Sequence, residues 1–366
     1  MPADSPDHPA GWLVLTASER GAAHVAVRTP NQDSVAVEWT SAGGVVTAVA
    51  DGHGHSRHLR SARGSRYAVA VGCQVGSEFA DKLAAVAVSG VQTRPNAASQ
   101  IADLAEDSLV PTIVARWREA VLADVASDPF SWSEQDKRRR DDDPTIAYGS
   151  TLLLCIALHD WLVLAQIGDG DVVAVRHDGT AALPVPADPQ LDGLATTSLC
   201  GPRAIEDFRV AVVDTTQMPL LAVLVATDGY GNAQVVEEWP GSFSKDLAVL
   251  LRERDMDWLA SQLPGWVARC ASADGSADDT TVALLISPAG QVVRPLTPPG
   301  AFGSFGQGQP DSSSDEITIP ASIRTDTVRT QTEQIEVRQM EQEHADLGEI
   351  TAEWDPPAPS AGSDAP

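Results

Sequence analysis

The 366-residue sequence predicts an α+β fold in which layers of β-sheet are flanked by helices. Three observations carry that expectation. Short Val- and Leu-rich runs bounded by Gly, Pro, Asn and Ser read as strands. A long central stretch has Ala and Leu at helical spacing. The order is strands, helices, strands, helix, strand, which lacks the alternation of a parallel βαβ sheet. Element by element, residues 1–10 are polar and Pro-rich, a composition expected to be disordered. Trp12–Leu15, His24–Val27, Val35–Trp39 and Val45–Ala50 are strand candidates. Between about Arg63 and Asp128, the segments Arg66–Gly72, Phe79–Val88 and Ala98–Ala126 read as helices, with Pro111 their one interior proline. Ser131–Pro144, where Lys137 to Arg140 meet Asp141 to Asp143, reads as a solvated loop. Strands resume at Ser150–Leu158, Trp161–Ile167, Asp171–Arg176, Phe208–Val213 and Leu220–Ala226. A helical insertion over about Val235–Ala271 precedes a last strand, Thr281–Ile286.

After about Pro288 the character changes. Pro295–Asp315 is rich in Gly, Pro, Ser and Gln, the composition of a flexible linker. From Asp311 to the end, 13 Asp/Glu face 3 Arg, and the apolar positions of Thr327–Leu347 form no continuous stripe. The expectation is three regions: a disordered start at 1–10, a folded domain at 11–288, and a flexible acidic tail at 289–366 with at most a marginal helix over 327–347.

Charge and composition exclude several classes. A formal net charge of −26 and a pI near 4.5 argue against a surface for nucleic acid, whose phosphates require Lys and Arg density. The four cysteines are far apart and mostly sit in apolar runs, as buried thiols do. No run approaches the roughly 18 apolar residues of a membrane span, and the N-terminus has no basic region followed by an apolar one. A cytoplasmic, soluble protein, monomeric by default, is the expectation.

The chemistry lies where apolar runs end. Val45–Ala50 stops at Asp51-Gly52, Trp161–Ile167 at Gly168-Asp169-Gly170, and Leu220–Ala226 at Thr227-Asp228-Gly229. Asp278-Asp279 stands immediately before Thr281–Ile286. Strands ending along a common edge would gather these carboxylates at one rim. Clustered carboxylates repel unless a cation neutralises them, and hard oxygen donors suit Mg²⁺ or Mn²⁺. A Gly after Asp lets the backbone turn tightly enough to offer its own carbonyl. Other catalytic patterns are absent: no Gly-x-Ser-x-Gly elbow, no Cys followed by the Arg of a cysteine phosphatase loop, no His- or Cys-rich zinc set. Metal-activated water remains, and phosphate ester hydrolysis is the reaction that most needs it.

Arg28-Thr-Pro-Asn31-Gln32-Asp33, Asp51-Gly52-His53-Gly54, Gly149-Ser150-Thr151, Gly168-Asp169, Thr227-Asp228-Gly229 and Asp278-Asp279-Thr280-Thr281 follow the order and approximate spacing of the metal-dependent Ser/Thr phosphatases. Over about residues 11–288 the chain resembles that PP2C (PPM) family, and its bacterial branch in particular. The resemblance implies a central β-sandwich of two antiparallel sheets flanked by helices on both sides, with two Mn²⁺ or Mg²⁺ ions at one end. It also implies hydrolysis of phosphoserine and phosphothreonine by a metal-bridging hydroxide, opposing bacterial Ser/Thr kinases. Phosphoproteins, and a cognate kinase or its substrates, are the implied partners.

Carried over by position, Asp51 would bridge both ions, the Gly52 carbonyl would hold one, and Asp228 and Asp278 would complete the second. Asp33 would act through metal-bound water. Asp169 would support, with Asp228, a third and weaker ion. Arg28 would clamp the phosphate through its fork of donors, and His53 would protonate the leaving oxygen. Four positions depart from the pattern. Gln32 stands where a Glu is usual, Asp279 where an Asn is usual, and Gly170-Asp171 where Ser-Arg is usual, so Asp169 lacks its customary Arg neighbour. The Gln32 and Asp171 departures leave a second expectation, a weak or inactive scaffold that binds phosphoproteins. Ser150 and Thr151 are expected to be structural. Val235–Ala271 would be the variable flap beside the site, where substrate choice would reside.

Overall fold

In the computed structural model, residues 11–88, 94–138, 142–190 and 196–291 are described. The expected disordered start, the linker and the acidic tail with its marginal helix fall outside them. Two five-stranded antiparallel sheets are stacked, each covered on its outer face by helices. One sheet has the order β1 (Leu13–Glu19), β10 (Thr280–Ile286), β9 (Leu220–Ala226), β6 (Asp171–Arg176), β7 (Ala181–Ala182). The other has the order β2 (Ser34–Trp39), β3 (Val45–Ala50), β4 (Leu152–Leu158), β5 (Trp161–Ile167), β8 (Arg209–Asp214). This is the expected sandwich with helices on both sides.

The period-2 alternation of the strands explains the layers. In β4, Leu152, Leu154, Ile156 and Leu158 face one helical layer, while Leu153, Cys155 and Ala157 face the opposite sheet. Strands buried on both faces need apolar side chains at every position, and β4, β9 and β10 are buried throughout. The layer over β3–β5 is α2 (Ser61–Val88), α3 (Arg94–Leu104), a π turn at Ala105–Leu109, and α4 (Val110–Ser127). Pro111 directly follows the π turn, in which Val110 N donates to the Ala105 carbonyl. Trp117 is fully buried here and donates its indole N–H to the Gly64 carbonyl at 3.0 Å.

Three sequence expectations change. His24–Val27 is not a strand but the end of α1 (Ala22–Val27). Its Val content suits a strand, yet Ala22 and Ala23 donate to the carbonyls of Ala271 and Ala277, so the segment is tied to a distant loop instead of a sheet edge. Ser131–Pro144 is not wholly loop. It contains α5 (Trp132–Lys137) and runs into a 3₁₀ turn, Pro144–Tyr148, capped by Asp143, whose carboxylate accepts from Thr145 N at 2.8 Å. Val235–Ala271 is not a flap. Its helices α8 (Trp239–Glu253) and α9 (Met256–Cys270) bury Phe243, Leu247, Leu251, Leu259, Leu263, Trp266 and Val267 against β6, β9 and β10. At roughly 1.5–3 kcal/mol for each fully buried large apolar side chain, such a layer is part of the core and cannot lift away.

Topology places the acids together. β3 and β5 both run antiparallel to β4, so their C-terminal ends share an edge. Ser34, which starts β2, pairs with Ala50, which ends β3, and this sets Asp33 beside Asp51. In the other sheet, the end of β9 lies between the starts of β6 and β10, since Ala226 pairs with both Asp171 and Val282.

Candidate metal centre

At that edge, carboxylate oxygens of Asp51, Asp169 and Asp228 all lie within 4.8 Å of one another. All three residues are half-buried, so solvent reaches them. Each is held by its strand end. Asp51 N donates to Thr151 Oγ1 (2.9 Å), and Thr151 N returns a bond to the Asp51 carbonyl (2.8 Å). Gly52 forms an isolated bridge with Ser150. Asp228 begins α7 (Asp228–Asn232), and its Oδ2 accepts from Asn232 Nδ2 at 3.0 Å. Asp169 follows Gly168, whose φ of +103° a side chain would strain.

Thr227 is a hub that the sequence reading did not single out. Fully buried, it accepts from Thr281 N (2.9 Å) and donates to Asp33 Oδ2 (2.8 Å), locking two strand ends and one acid together. Asp33 is buried, and its other oxygen, Oδ1, has no hydrogen-bond partner; the same holds for Asp169 Oδ1. Orphaned buried carboxylate oxygens facing like charges are what a bound cation would relieve.

The adjacent acids Asp278 and Asp279 divide their work. Asp279, almost wholly buried, accepts from Gly21 N (2.7 Å) and Gln32 N (2.6 Å) and meets His24 Nδ1 at 2.9 Å. It is a knot between three loops and has no oxygen to spare. Asp278 is exposed, and its charge acts on both Asp51 and Asp228. Asp171, a departure from the expected Arg, opens β6 at the same edge.

The electrostatics follow. Burial and then the charges of Asp33, Asp228 and Asp278 push the Asp51 carboxyl well above its ordinary range. Asp228 rises for the same reasons, burial first and Asp169 next. Burial raises Asp33 to about 7 despite the Thr227 hydrogen bond, and burial with Asp169 raises Asp171 to about 7. Among the described residues, neither Asp51 nor Asp228 has an ion-pair partner. The donor set is all oxygen and suits a hard divalent cation.

His53 is half-buried next to this rim. Its backbone N donates to the Gly149 carbonyl (3.2 Å), and its ring packs edge-on against His58 at 4.9 Å between centroids. Gly149 is required, because a Cβ there would collide with both imidazoles. Burial, and then His58, pull the His53 pKa down to about 3, so the ring is neutral in the free protein. His58 is committed elsewhere, its Nδ1 2.5 Å from the Ile146 carbonyl, and His55 is exposed. Arg28 is exposed at the end of α1 with φ of 62°, a left-handed conformation uncommon for a side chain of this size. Gln32 is buried, its Nε2 donating to Ser61 Oγ at 2.5 Å and its Oε1 unpartnered. The cysteines offer no nucleophile: burial pushes Cys73 and Cys270 up to about 12.

A second set of acids gathers at the start of α2. Buried Arg60 donates through Nε to Glu134 (2.9 Å) and through Nη1 to Tyr148 Oη (2.9 Å), with its guanidinium 4.4 Å from the centre of the Phe130 ring. Arg63 donates to Asp124 (3.0 Å) and Asp128 (2.6 Å). Here the shifts reverse. The Arg60 hydrogen bond lowers Glu134 to about 2, and burial of Asp124 is outweighed by hydrogen bonds from Tyr148, Tyr67 and Arg63.

Residues 20–267 match the family model described as protein phosphatase 2C. No protein of curated function matches the chain. Among solved structures, PppA, described as a key regulatory component of T6SS in Pseudomonas aeruginosa, is 15% identical, with 75% of this chain and 97% of that chain covered and a TM-score of 0.46. The S. agalactiae serine/threonine phosphatase is 18% identical over 75% and 99%, with a TM-score of 0.45. The Mycobacterium tuberculosis serine/threonine phosphatase PstP/Ppp is 16% identical over 75% and 98%, with a TM-score of 0.44.

Proposed function

Because the chain belongs to the protein phosphatase 2C family, we propose that it hydrolyses phosphoserine and phosphothreonine in proteins, with divalent cations held at the rim of the sandwich and bacterial Ser/Thr kinases as its opponents. The observation that carries this reading is the convergence of Asp51, Asp169 and Asp228, from three separate strands, to within 4.8 Å. Asp51, the Gly52 carbonyl, Asp228 and Asp278 would hold two ions, Asp33 would act through water, and Asp169 would serve a third, weaker one. Mn²⁺ or Mg²⁺ bound there supplies the charge that ionises water near neutral pH and offsets the phosphoryl oxygens.

The chain's own groups supply the rest. Arg28, exposed on its left-handed turn, reaches the phosphate with two parallel donors. His53 gives a proton to the departing Ser or Thr oxygen. Its imidazole is neutral in the free protein, and a phosphate dianion docking beside it raises its proton affinity. Gln32 carries no charge where the family pattern has an acid, so the site would hold an ion there more weakly.

The test is hydrolysis of p-nitrophenyl phosphate and of a phosphothreonine peptide, with and without Mn²⁺. Turnover that needs Mn²⁺ and stops on chelation is expected; turnover in excess EDTA would sink the metal reading, and no turnover at any Mn²⁺ concentration would favour the phosphoprotein-binding scaffold. His53→Ala should slow the peptide by on the order of 10²-fold and p-nitrophenyl phosphate far less, since p-nitrophenolate leaves without a proton. Equal losses on both substrates would make His53 structural.

A further inference from the structure

The turn that presents Asp169 is clasped through both polar groups of Gly168. Its N–H donates to Thr197 Oγ1 at 2.9 Å, and Thr197 donates to Asp188 Oδ2 at 2.9 Å. Its carbonyl accepts from Arg209 Nη2 and from Gln166 Nε2, the latter at 3.2 Å. Gln166 also donates to the Gly170 carbonyl at 2.6 Å. Arg209 is the first residue of β8. Its Nη1 donates to the Pro186 carbonyl at 2.9 Å, and its Nε lies 3.9 Å from Asp188 Oδ2. Asp188 and Thr197 are both buried and Arg209 is half-buried, so the ring Gly168–Thr197–Asp188–Arg209–Gly168, completed by the Arg209–Asp188 ion pair, is largely shielded from water.

The outcome of this clasp is the placement of one carboxylate. Asp169 Oδ1 is buried with no hydrogen-bond partner, and Asp169 offers an oxygen within 4.8 Å of Asp51 and Asp228. Position 171, an Asp, adds negative charge at this edge. The cation that acts on Asp169 comes instead from the neighbouring sheet strand, through Arg209.

We propose that Arg209 is the positioning residue of the metal centre: from β8 it fixes the Gly168–Gly170 turn and balances its charge, so that Asp169 presents its carboxylate to Asp51 and Asp228. The proposal rests on the divalent-cation reading of the site. Groups that orient a metal ligand are typically worth about 10- to 100-fold in metal affinity.

Mn²⁺ binding by the full chain, read by calorimetry, tests it in R209Q, R209K, D169N and the D169N/R209Q pair. R209Q should weaken Mn²⁺ binding about tenfold beside Asp169, and should weaken it no further in the D169N background. R209K, which keeps the charge and one donor, should fall between wild type and R209Q; if R209Q does not fold, R209K with and without D169N completes the same cycle. An unchanged isotherm in the folded Arg209 variants, or equal further loss in the D169N background, would reassign Arg209 to strand packing while leaving the metal reading intact. Wild type that binds no Mn²⁺ would overturn both.

Discussion

Asp124, Asp128 and Glu134 meet Arg60 and Arg63, whereas Asp51, Asp169 and Asp228 meet one another. Both groups are carboxylates brought together by tertiary structure, and both lose hydration. In the first, guanidinium donors and tyrosine hydroxyls hold the charged forms of Asp124 and Glu134, whose pKa values fall. In the second, no Arg or Lys pairs with Asp51 or Asp228 among the described residues, and the pKa values rise. The difference separates carboxylates already neutralised by the chain's own cations from carboxylates left facing one another, whose repulsion a cation would relieve. Acidic density alone does not distinguish them; the sign of the shift does.

Three perturbations follow from that contrast. Removing a cation from the balanced group should be the most damaging. Arg60→Ala leaves Glu134 and the Tyr148 hydroxyl without their partner and should cost about 3 kcal/mol of stability, the lower end of the range for breaking a buried pair because Glu134 is partly solvated. Urea unfolding measures it, and a loss below 0.5 kcal/mol would mean that the group is not a structural unit.

Removing a charge from the unbalanced group should do the reverse. Two like charges within 4.8 Å repel by about 1–3 kcal/mol in a partly hydrated setting. Asp228→Asn should therefore raise the melting temperature of the metal-free chain at pH 7.5 while abolishing Mn²⁺-dependent turnover. A lower melting temperature would show that Asp228 is held by attractive contacts instead.

The smallest effect is one of pH. Asp33 and Asp171 bind protons more tightly folded, with pKa values of about 7, than unfolded, where 3.8 applies. Their contribution is complete below about pH 4 and disappears as pH rises through about 7. In the metal-free chain the melting temperature should drop by a few degrees between pH 5 and 7.5, and Mn²⁺ at pH 7.5 should restore it. Glu134, lowered to about 2, has the opposite dependence, contributing above its unfolded value of 4.5 and losing that contribution as pH falls toward 2. A melting temperature that climbs steadily from pH 5 to 7.5 without metal would contradict the repulsion at the rim.

The rim was largely legible because its signals are local. An apolar run followed by Asp-Gly names both a strand end and a carboxylate, and Asp51, Asp169 and Asp228 converge as that pattern implies. Other parts were not legible because partners far apart in sequence decide them. Asp278 and Asp279 are neighbours of identical chemistry, and only the backbone N–H groups of Gly21 and Gln32 select Asp279 as the knot. The Val-rich end of α1 reads as strand, but Ala22 and Ala23 just before it donate to the carbonyls of Ala271 and Ala277 and tie the segment to a distant loop. The pattern of α8 and α9 showed helices, but not that they form a wall of the core.

By itself, the sequence determined where apolar strands stop, which acids stand at their ends, and hence that carboxylates gather at one edge of a sheet fold. Those features depend on side-chain period and on turn chemistry within a few residues. Tertiary structure alone decided which acids are neutralised: Arg60 and Arg63 reach Asp124, Asp128 and Glu134 across 61 to 74 residues, and Arg209 reaches Gly168 across 41. Charge balance depends on distance in space and on exclusion of water, and neither is written in the local order of residues.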